Sequence, residues 1–358
     1  MIGKADLNNK TLIVLSPAFP ANESEEQSPW LPAKQALIRA LNRNFPTLEI
    51  IIITFHYPTD KTEYLWYGNR VIPLGNANKR RGQSLILWYS VFKKLYGFKK
   101  SKNLAGIISF WCFECCLVGS YFSRLYKVKH LCWISGQDAR KSNHFVKRIR
   151  PKAGELVAMS DFLAEEFYKN HGIFPKYLIP DAIDTSLFTE EDPERSIDIL
   201  GAGNLVPLKR YEIFVEVVAA LKNKGLSINA VLCGNGTEEQ NLKNQISING
   251  LENIISLTGL IGQKQVLAQM KKTKIMLHTS EYEGFGNVCI EALYAGAHVI
   301  SFTKPMNEAI PHWHIVATKE EMIIKAFDIL QNDQTEYTPV LPFDMNDSAK
   351  AFMAVLAS

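Results

Sequence analysis

Glu283 and Glu291 stand eight positions apart, with Gly284-Phe285-Gly286-Asn287-Val288-Cys289-Ile290 between them. An ionised carboxylate only accepts hydrogen bonds, so two of them suit a ligand rich in hydroxyl donors. Gly284 and Gly286 allow a tight turn that a ligand can approach closely. The segment after them has helical character, with Asn287 suited to cap its start. The first N–H groups of such a helix face whatever lies in front of them, and the helix dipole favours an anion there by about 0.3–1 kcal/mol. Upstream, Gly201-Ala202-Gly203-Asn204 leads to Lys209, a full positive charge for the same anion, and Cys233-Gly234-Asn235-Gly236 makes another glycine turn. Acids for hydroxyls, with a lysine and a helix start for phosphates, suit a sugar carried on a diphosphate.

These residues need a scaffold that brings three loops together. Short apolar runs at 197–200, 228–233, 254–257, 274–278 and 298–302 read as buried strands, and 210–223, 238–249, 266–272 and 288–295 as the helices between them. The three loops then fall at the carboxyl ends of parallel strands, where ligands of open α/β sheets collect. The first half repeats the alternation, with strands at 11–15, 48–55, 105–110, 130–134 and 155–159 and a helix at 33–41. Continuous apolar strands between helices predict a parallel sheet covered on both faces. Over 177–192 the character changes, with Pro180 and the acids Glu190-Glu191-Asp192, followed by Pro193. The expectation is an α/β protein of two Rossmann-like domains, 1–185 and 186–340, facing across a cleft, with a closing helix over 341–358.

Residues 197–303 resemble the donor domain of the family 4 retaining glycosyltransferases, whose fold is called GT-B. The resemblance is carried by Gly203-Asn204-Leu205-Val206-Pro207-Leu208-Lys209, by Cys233-Gly234-Asn235-Gly236, and above all by Glu283-Gly-Phe-Gly-Asn-Val-Cys-Ile-Glu291-Ala292-Leu293 with Gly296 beyond it. The segment 179–188 is similar to the family's interdomain stretch. The resemblance implies that Lys209 contacts the donor diphosphate, Glu291 the ribose hydroxyls and Glu283 the transferred sugar. It also implies that main-chain N–H groups of Gly286, Asn287 and Val288 hold phosphate, with Gly203, Asn204, Gly234 and Phe285 completing the donor site. Family members need no metal or other cofactor and retain the anomeric configuration, the departing phosphate taking the acceptor proton. In the first half, Trp133-Ile134-Ser135-Gly136-Gln137-Asp138 resembles a loop in which the family has His where this chain has Ser135, and Asp138 is the candidate polar group on the acceptor side. Asn204 stands where the family often has Arg, with Arg210 as a possible replacement, and Ser16-Pro17-Ala18-Phe19-Pro20 replaces the usual glycine pair of the first loop.

The charge distribution points to a partner surface. Residues 1–185 carry 26 Lys/Arg against 15 Asp/Glu, a net of +11, while the remainder carries 14 against 21, a net of −7. Between Glu63 and Glu114 there are nine basic residues and no acidic one, centred on Leu85-Ile86-Leu87-Trp88-Tyr89-Ser90-Val91-Phe92-Lys93-Lys94. A basic and aromatic amphipathic segment suits an anionic membrane surface, while an ordinary surface helix with a solvated basic edge is the competing reading. No window approaches the roughly 18 to 20 apolar residues that span a bilayer. The six cysteines lie mostly in apolar runs, which predicts buried thiols in a reducing cytoplasm. Cys112, Cys115 and Cys116 have metal-like spacing, but no second cysteine pair or histidine cluster answers them, and His278, His298, His312 and His314 fit no metal spacing.

The expected protein is therefore a metal-independent hexosyltransferase that is cytoplasmic or peripheral at the membrane. Its expected partners are a nucleotide-diphosphate sugar and a glycan or lipid-linked acceptor, and not nucleic acid. Two alternatives compete with it: a sugar-nucleotide epimerase or hydrolase on the same fold, and a non-catalytic nucleotide-binding subunit.

Overall fold

The computed structural model describes residues 9–23, 32–76, 83–191 and 193–358. They form two compact units, Met1–Asp184 with Met345–Ser358, and Thr185–Asp344.

In chain order, unit 1 contains β1 (Thr11–Ala18), α1 (Pro32–Asn44), β2 (Glu49–Tyr57), β3 (Tyr64–Trp66), β4 (Asn69–Pro73), α2 (Gln83–Ser101), β5 (Leu104–Phe110) and α3 (Glu114–Tyr126). It continues with β6 (His130–Trp133), α4 (His144–Ile149), β7 (Leu156–Ala158), α5 (Asp161–His171) and β8 (Tyr177–Leu178). Its eight strands lie in the order β3-β4-β2-β1-β5-β6-β7-β8. All pairings are parallel except β3 with β4. Leu12 to Leu15 and Ile51 to Ile53 have no exposed surface. That burial on both faces is why these strands read as unbroken apolar runs, each such side chain contributing about 1.5–3 kcal/mol.

The β3–β4 hairpin escapes the sequence reading. Its two turn residues, Tyr67 and Gly68, both have positive φ, as a hairpin turn of two residues requires, but tyrosine is not the Asn or Asp that signals one.

Unit 2 runs β9 (Ile197–Ala202), α6 (Tyr211–Asn223), β10 (Ala230–Cys233), α7 (Glu239–Ile248), β11 (Ile255–Gly259), α8 (Gln263–Lys271), β12 (Thr273–His278), α9 (Asn287–Tyr294), β13 (His298–Ser301), β14 (Trp313–Ile315) and α10 (Lys319–Gln331). Its six strands are all parallel, in the order β11-β10-β9-β12-β13-β14. This is the doubly wound arrangement in which strand order reverses between the first and fourth strands, here β9 and β12. Loops leaving the carboxyl ends of those two strands diverge to opposite faces of the sheet and open a ligand crevice between them. Both units are thus Rossmann-like.

The last helix, α11 (Met345–Ala357), packs in unit 1. Phe352 meets Trp133 edge to face at 5.1 Å, Ser348 Oγ donates to the Pro180 carbonyl at 3.0 Å, and the Met345 amide donates to the Ile183 carbonyl at 3.0 Å.

Candidate functional site

The β9 loop and the β12 loop bring the charged candidates together in unit 2. Gly203 follows β9, and a short 3-10 turn, Pro207–Lys209, closes the loop with Arg210 in the left-handed region. Thr279, just past β12, donates its hydroxyl to the Lys209 carbonyl at 2.7 Å and so ties the two loops. The Lys209 Nζ then lies 2.5 Å from Glu283 Oε2. The two side chains are 21 % and 25 % exposed and form a half-buried ion pair. Each shields the other from water, which a reading of separate loops could not show.

A third partner was missed. His278, the last residue of β12, places Nε2 3.6 Å from Glu283 Oε2 and is itself buried. Burial alone pushes the Glu283 carboxyl up, but His278 and the Lys209 charge outweigh it and hold the group down at about 2. Burial also drives the His278 imidazole below its ordinary value. Glu283 is therefore a carboxylate at any physiological pH, an acceptor for hydroxyl donors and not a proton source.

Helix α9 begins where Gly286 takes φ +90°, so Gly286 and not Asn287 is the cap, and Asn287 is the first helical residue. A left-handed cap suits glycine, which has no Cβ to clash there. The Cys289 amide donates to the Gly286 carbonyl at 2.9 Å, fixing the first turn, and Val288 lies half-buried within it. Phe285 is 2 % exposed and stacks edge to face on Phe343 at 5.8 Å, so its side chain anchors the loop in the core and does not offer itself to a donor.

Glu291, one turn further along α9, accepts from Gln263 Nε2 at 2.9 Å, and Gln263 opens α8 after β11. Burial raises the Cys289 thiol well above its ordinary value, and the charges of Glu283, Lys209 and Glu291 all act on it. The three predicted charged residues therefore gather around the first turns of α9.

The β10 loop interlocks with the β9 loop. A Cβ on Gly234, which has φ +139°, would sit 1.9 Å from the Gly203 carbonyl oxygen, and the Gly203 amide donates to the Cys233 carbonyl at 3.0 Å. Gly203 and Gly234 are thus required by backbone packing. Asn204 is exposed, and Arg210 pairs with Glu212 at 3.5 Å.

Unit 1 holds the remaining candidate. Asp138 has no exposed surface, and its Oδ2 accepts from the Ser135 amide at 2.7 Å and lies 3.4 Å from the Ser135 hydroxyl. Burial pushes its carboxyl up to about 7, against the hydrogen bonds that favour the ionised form. The Ser135 to Asp138 loop is therefore held by its own aspartate.

Beside it the sequence reading missed Lys34, which is also buried. Its Nζ stands 3.1 Å above the Trp133 ring and 3.7 Å from Asp181, and burial lowers it to about 8 against the attraction of Asp181 and Asp138. All six cysteines are buried free thiols. Cys112 and Cys116 are joined by Cys132 from β6, these three sulfurs lying within 4.8 Å of one another, whereas the sequence had grouped Cys115 with the first two.

With this geometry in view, comparison with known proteins decides what the chain is similar to. Residues 183–338 match the family model described as Glycosyl transferases group 1. A 2-deoxystreptamine N-acetyl-D-glucosaminyltransferase of Niallia circulans is 31 % identical over 103 residues, 29 % of this chain and 26 % of that protein, so the chain spans about a quarter of that relative's length. An uncharacterized glycosyltransferase of Methanocaldococcus jannaschii is 24 % identical over 285 residues, 76 % of each chain. The solved structure of HepE from Anabaena, in complex with UDP and glucose, superposes with a TM-score of 0.66 over 96 % of this chain and 94 % of that one, at 16 % identity. That last likeness is one of fold. These comparisons agree on the glycosyltransferase class, and the epimerase, hydrolase and non-catalytic readings gain nothing from them.

Proposed function

We propose that the protein is a retaining, metal-independent hexosyltransferase that moves a sugar from a nucleoside diphosphate to a hydroxyl of a glycan or lipid-linked acceptor. The observation that carries this reading is the Lys209–Glu283 ion pair beside the Gly286-capped start of α9. Lys209 and the first amides of α9 hold the diphosphate, Glu291 the ribose hydroxyls and Glu283 the hydroxyls of the transferred sugar. Those cationic and dipolar groups do the charge neutralisation that a divalent cation does in other transferases, which is why metal is not required.

In the step itself the acceptor oxygen bonds to the anomeric carbon while the bond from that carbon to the phosphate oxygen breaks. The acceptor proton passes to the departing phosphate on the same face of the sugar, so configuration is retained. Glu283, a carboxylate through the whole working range, orients the sugar and stabilises the positive charge that develops on it. Asp138 acts as a positioning residue, holding the loop that starts at Ser135. The protein works in the cytoplasm, at or near an anionic membrane surface.

A thermal-shift panel of UDP-, GDP- and ADP-sugars tests the donor half. One nucleotide class raises the melting temperature, and supplying acceptor then yields a transferred sugar of unchanged anomeric configuration with EDTA present. Epimerised or hydrolysed sugar with none transferred, or activity lost on chelation, would overturn the reading.

A further inference from the structure

Helices α2, α3 and α4 of unit 1 enclose an open groove of about 440 Å³ that no step of the transfer reaction uses. Trp88, Tyr89 and Phe92 of α2 and Leu117, Val118 and Tyr121 of α3 line it, and Arg148 of α4 stands at its edge. Its volume falls within the range of about 300–1,000 Å³ usual for ligand pockets. The same two helices carry exposed apolar side chains: Leu85, Ile86 and Tyr89 on α2 and Leu125 on α3 are each between 64 % and 69 % exposed. Large aliphatic side chains clustered at that exposure mark an interaction surface.

Charge shows what covers it. Along α2 the exposed stripe of Ile86 and Tyr89 runs on into Lys93, Tyr96 and Lys100, with the Lys100 ammonium 4.5 Å from the Tyr96 ring centre. Residues 139–154, which include α4, hold six basic residues and no acidic one. Lys79, Arg80 and Arg81, part of the basic stretch seen in the sequence, lie outside the described residues. Hydrocarbon at the centre and cations at the edge complement a surface that presents acyl chains beneath phosphates. Within the groove, the Trp88 indole N–H is buried with no hydrogen-bond partner among the described residues, a donor placed to meet an ester or phosphate oxygen.

We propose that this groove takes a hydrocarbon chain of an anionic phospholipid, so that α2, α3 and α4 lie on the surface of a bilayer. The proposal rests on the membrane part of the reading above and not on glycosyl transfer, and its test reads binding alone.

Vesicles of phosphatidylcholine with and without phosphatidylglycerol, the former also prepared with chain-brominated phosphatidylcholine, are mixed with the full chain and floated. The protein floats with the anionic vesicles only. Its tryptophan fluorescence is quenched by the brominated chains, and Trp88→Phe removes most of that quenching while still floating. Ile86→Glu with Tyr89→Glu abolishes flotation, while Lys93→Ala weakens it about fivefold, since one basic residue near an anionic surface is worth about 1 kcal/mol. Unchanged melting temperatures and an unchanged shift by nucleotide sugar show that these variants fold and keep the donor site. Three outcomes overturn the proposal: equal binding to neutral and anionic vesicles, flotation whose quenching survives Trp88→Phe, or a concentration-dependent dimer abolished by Ile86→Glu with Tyr89→Glu, which would assign the face to a second copy of the chain.

Discussion

Replacing Lys209 by Met tests the donor site most directly, because it deletes a charge while keeping the side-chain length. Two effects follow, and they separate. The first is on stability: Glu283 loses its 2.5 Å partner and keeps only His278 at 3.6 Å. An exposed pair is worth about 0–1 kcal/mol and breaking a fully buried one costs about 3–5, so a pair about a quarter exposed should cost roughly 1–2 kcal/mol. For a unit of this size that lowers the melting temperature by roughly 3–6 °C. The second effect is on transfer, where losing a cation aimed at the departing diphosphate should lower kcat/KM by about 10²–10³-fold, as loss of a donor to a developing anion does.

The double variant Lys209→Met with Glu283→Gln separates the two. No charge is left unpaired, so the melting temperature returns close to that of the wild type while transfer stays low. The sign of the pH dependence follows from the lowered carboxyl. A carboxylate held at about 2 in the folded protein, against an ordinary 4.5, contributes stability that is complete above the ordinary value and lost as the pH falls toward 2. The penalty of Lys209→Met is therefore constant between roughly pH 5 and 8. Wild-type turnover in Lys209→Met, or recovery of transfer together with stability in the double variant, would refute the argument.

Further outcomes are expected elsewhere. Gly234→Ala should collapse the paired β9 and β10 loops, because its Cβ meets the Gly203 carbonyl at 1.9 Å and backbone must move; circular dichroism melts and loss of the nucleotide shift would read this, and a wild-type melt contradicts it. Gln263→Ala frees Glu291 from its 2.9 Å partner and should raise the donor KM about fivefold, the worth of about 1 kcal/mol of hydrogen bonding, with kcat little changed. Asp138 has a carboxyl raised to about 7 from an ordinary 3.8, so its contribution is fully present below the ordinary value and is lost as the pH rises through 7. Over that window the cost reaches roughly 4 kcal/mol, and Asp138→Asn should flatten the fall in melting temperature between roughly pH 4 and 7. An unchanged pH profile in that variant would show that another group is responsible.

The sequence alone determined five of the six strands of unit 2, the helices between them and the order of its three ligand loops, while β14 and α10 went unread. A strand buried on both faces reads as an unbroken apolar run, and glycines after such a run mark a turn. Glu283, Lys209 and Glu291 stood out as charged side chains beside such turns, and their roles came from the family resemblance of those segments. Only the tertiary structure decided how they are used. That Lys209 touches Glu283 depends on β9 and β12 being neighbours, although 74 positions separate the two residues.

Gln263 and Lys34 were invisible for the same reason, since each gains its meaning from a partner elsewhere in the chain, and His278 was missed because it meets Glu283 only through the turn of the loop after β12. Phe285 and Asp138 lie in motif positions, yet their side chains are core, because burial is settled by what packs on a loop and not by the loop's own residues. The groove between α2, α3 and α4 shows both sides at once. Its aromatic and basic composition was written along one segment of chain, while the cavity exists only because two further helices pack beside it.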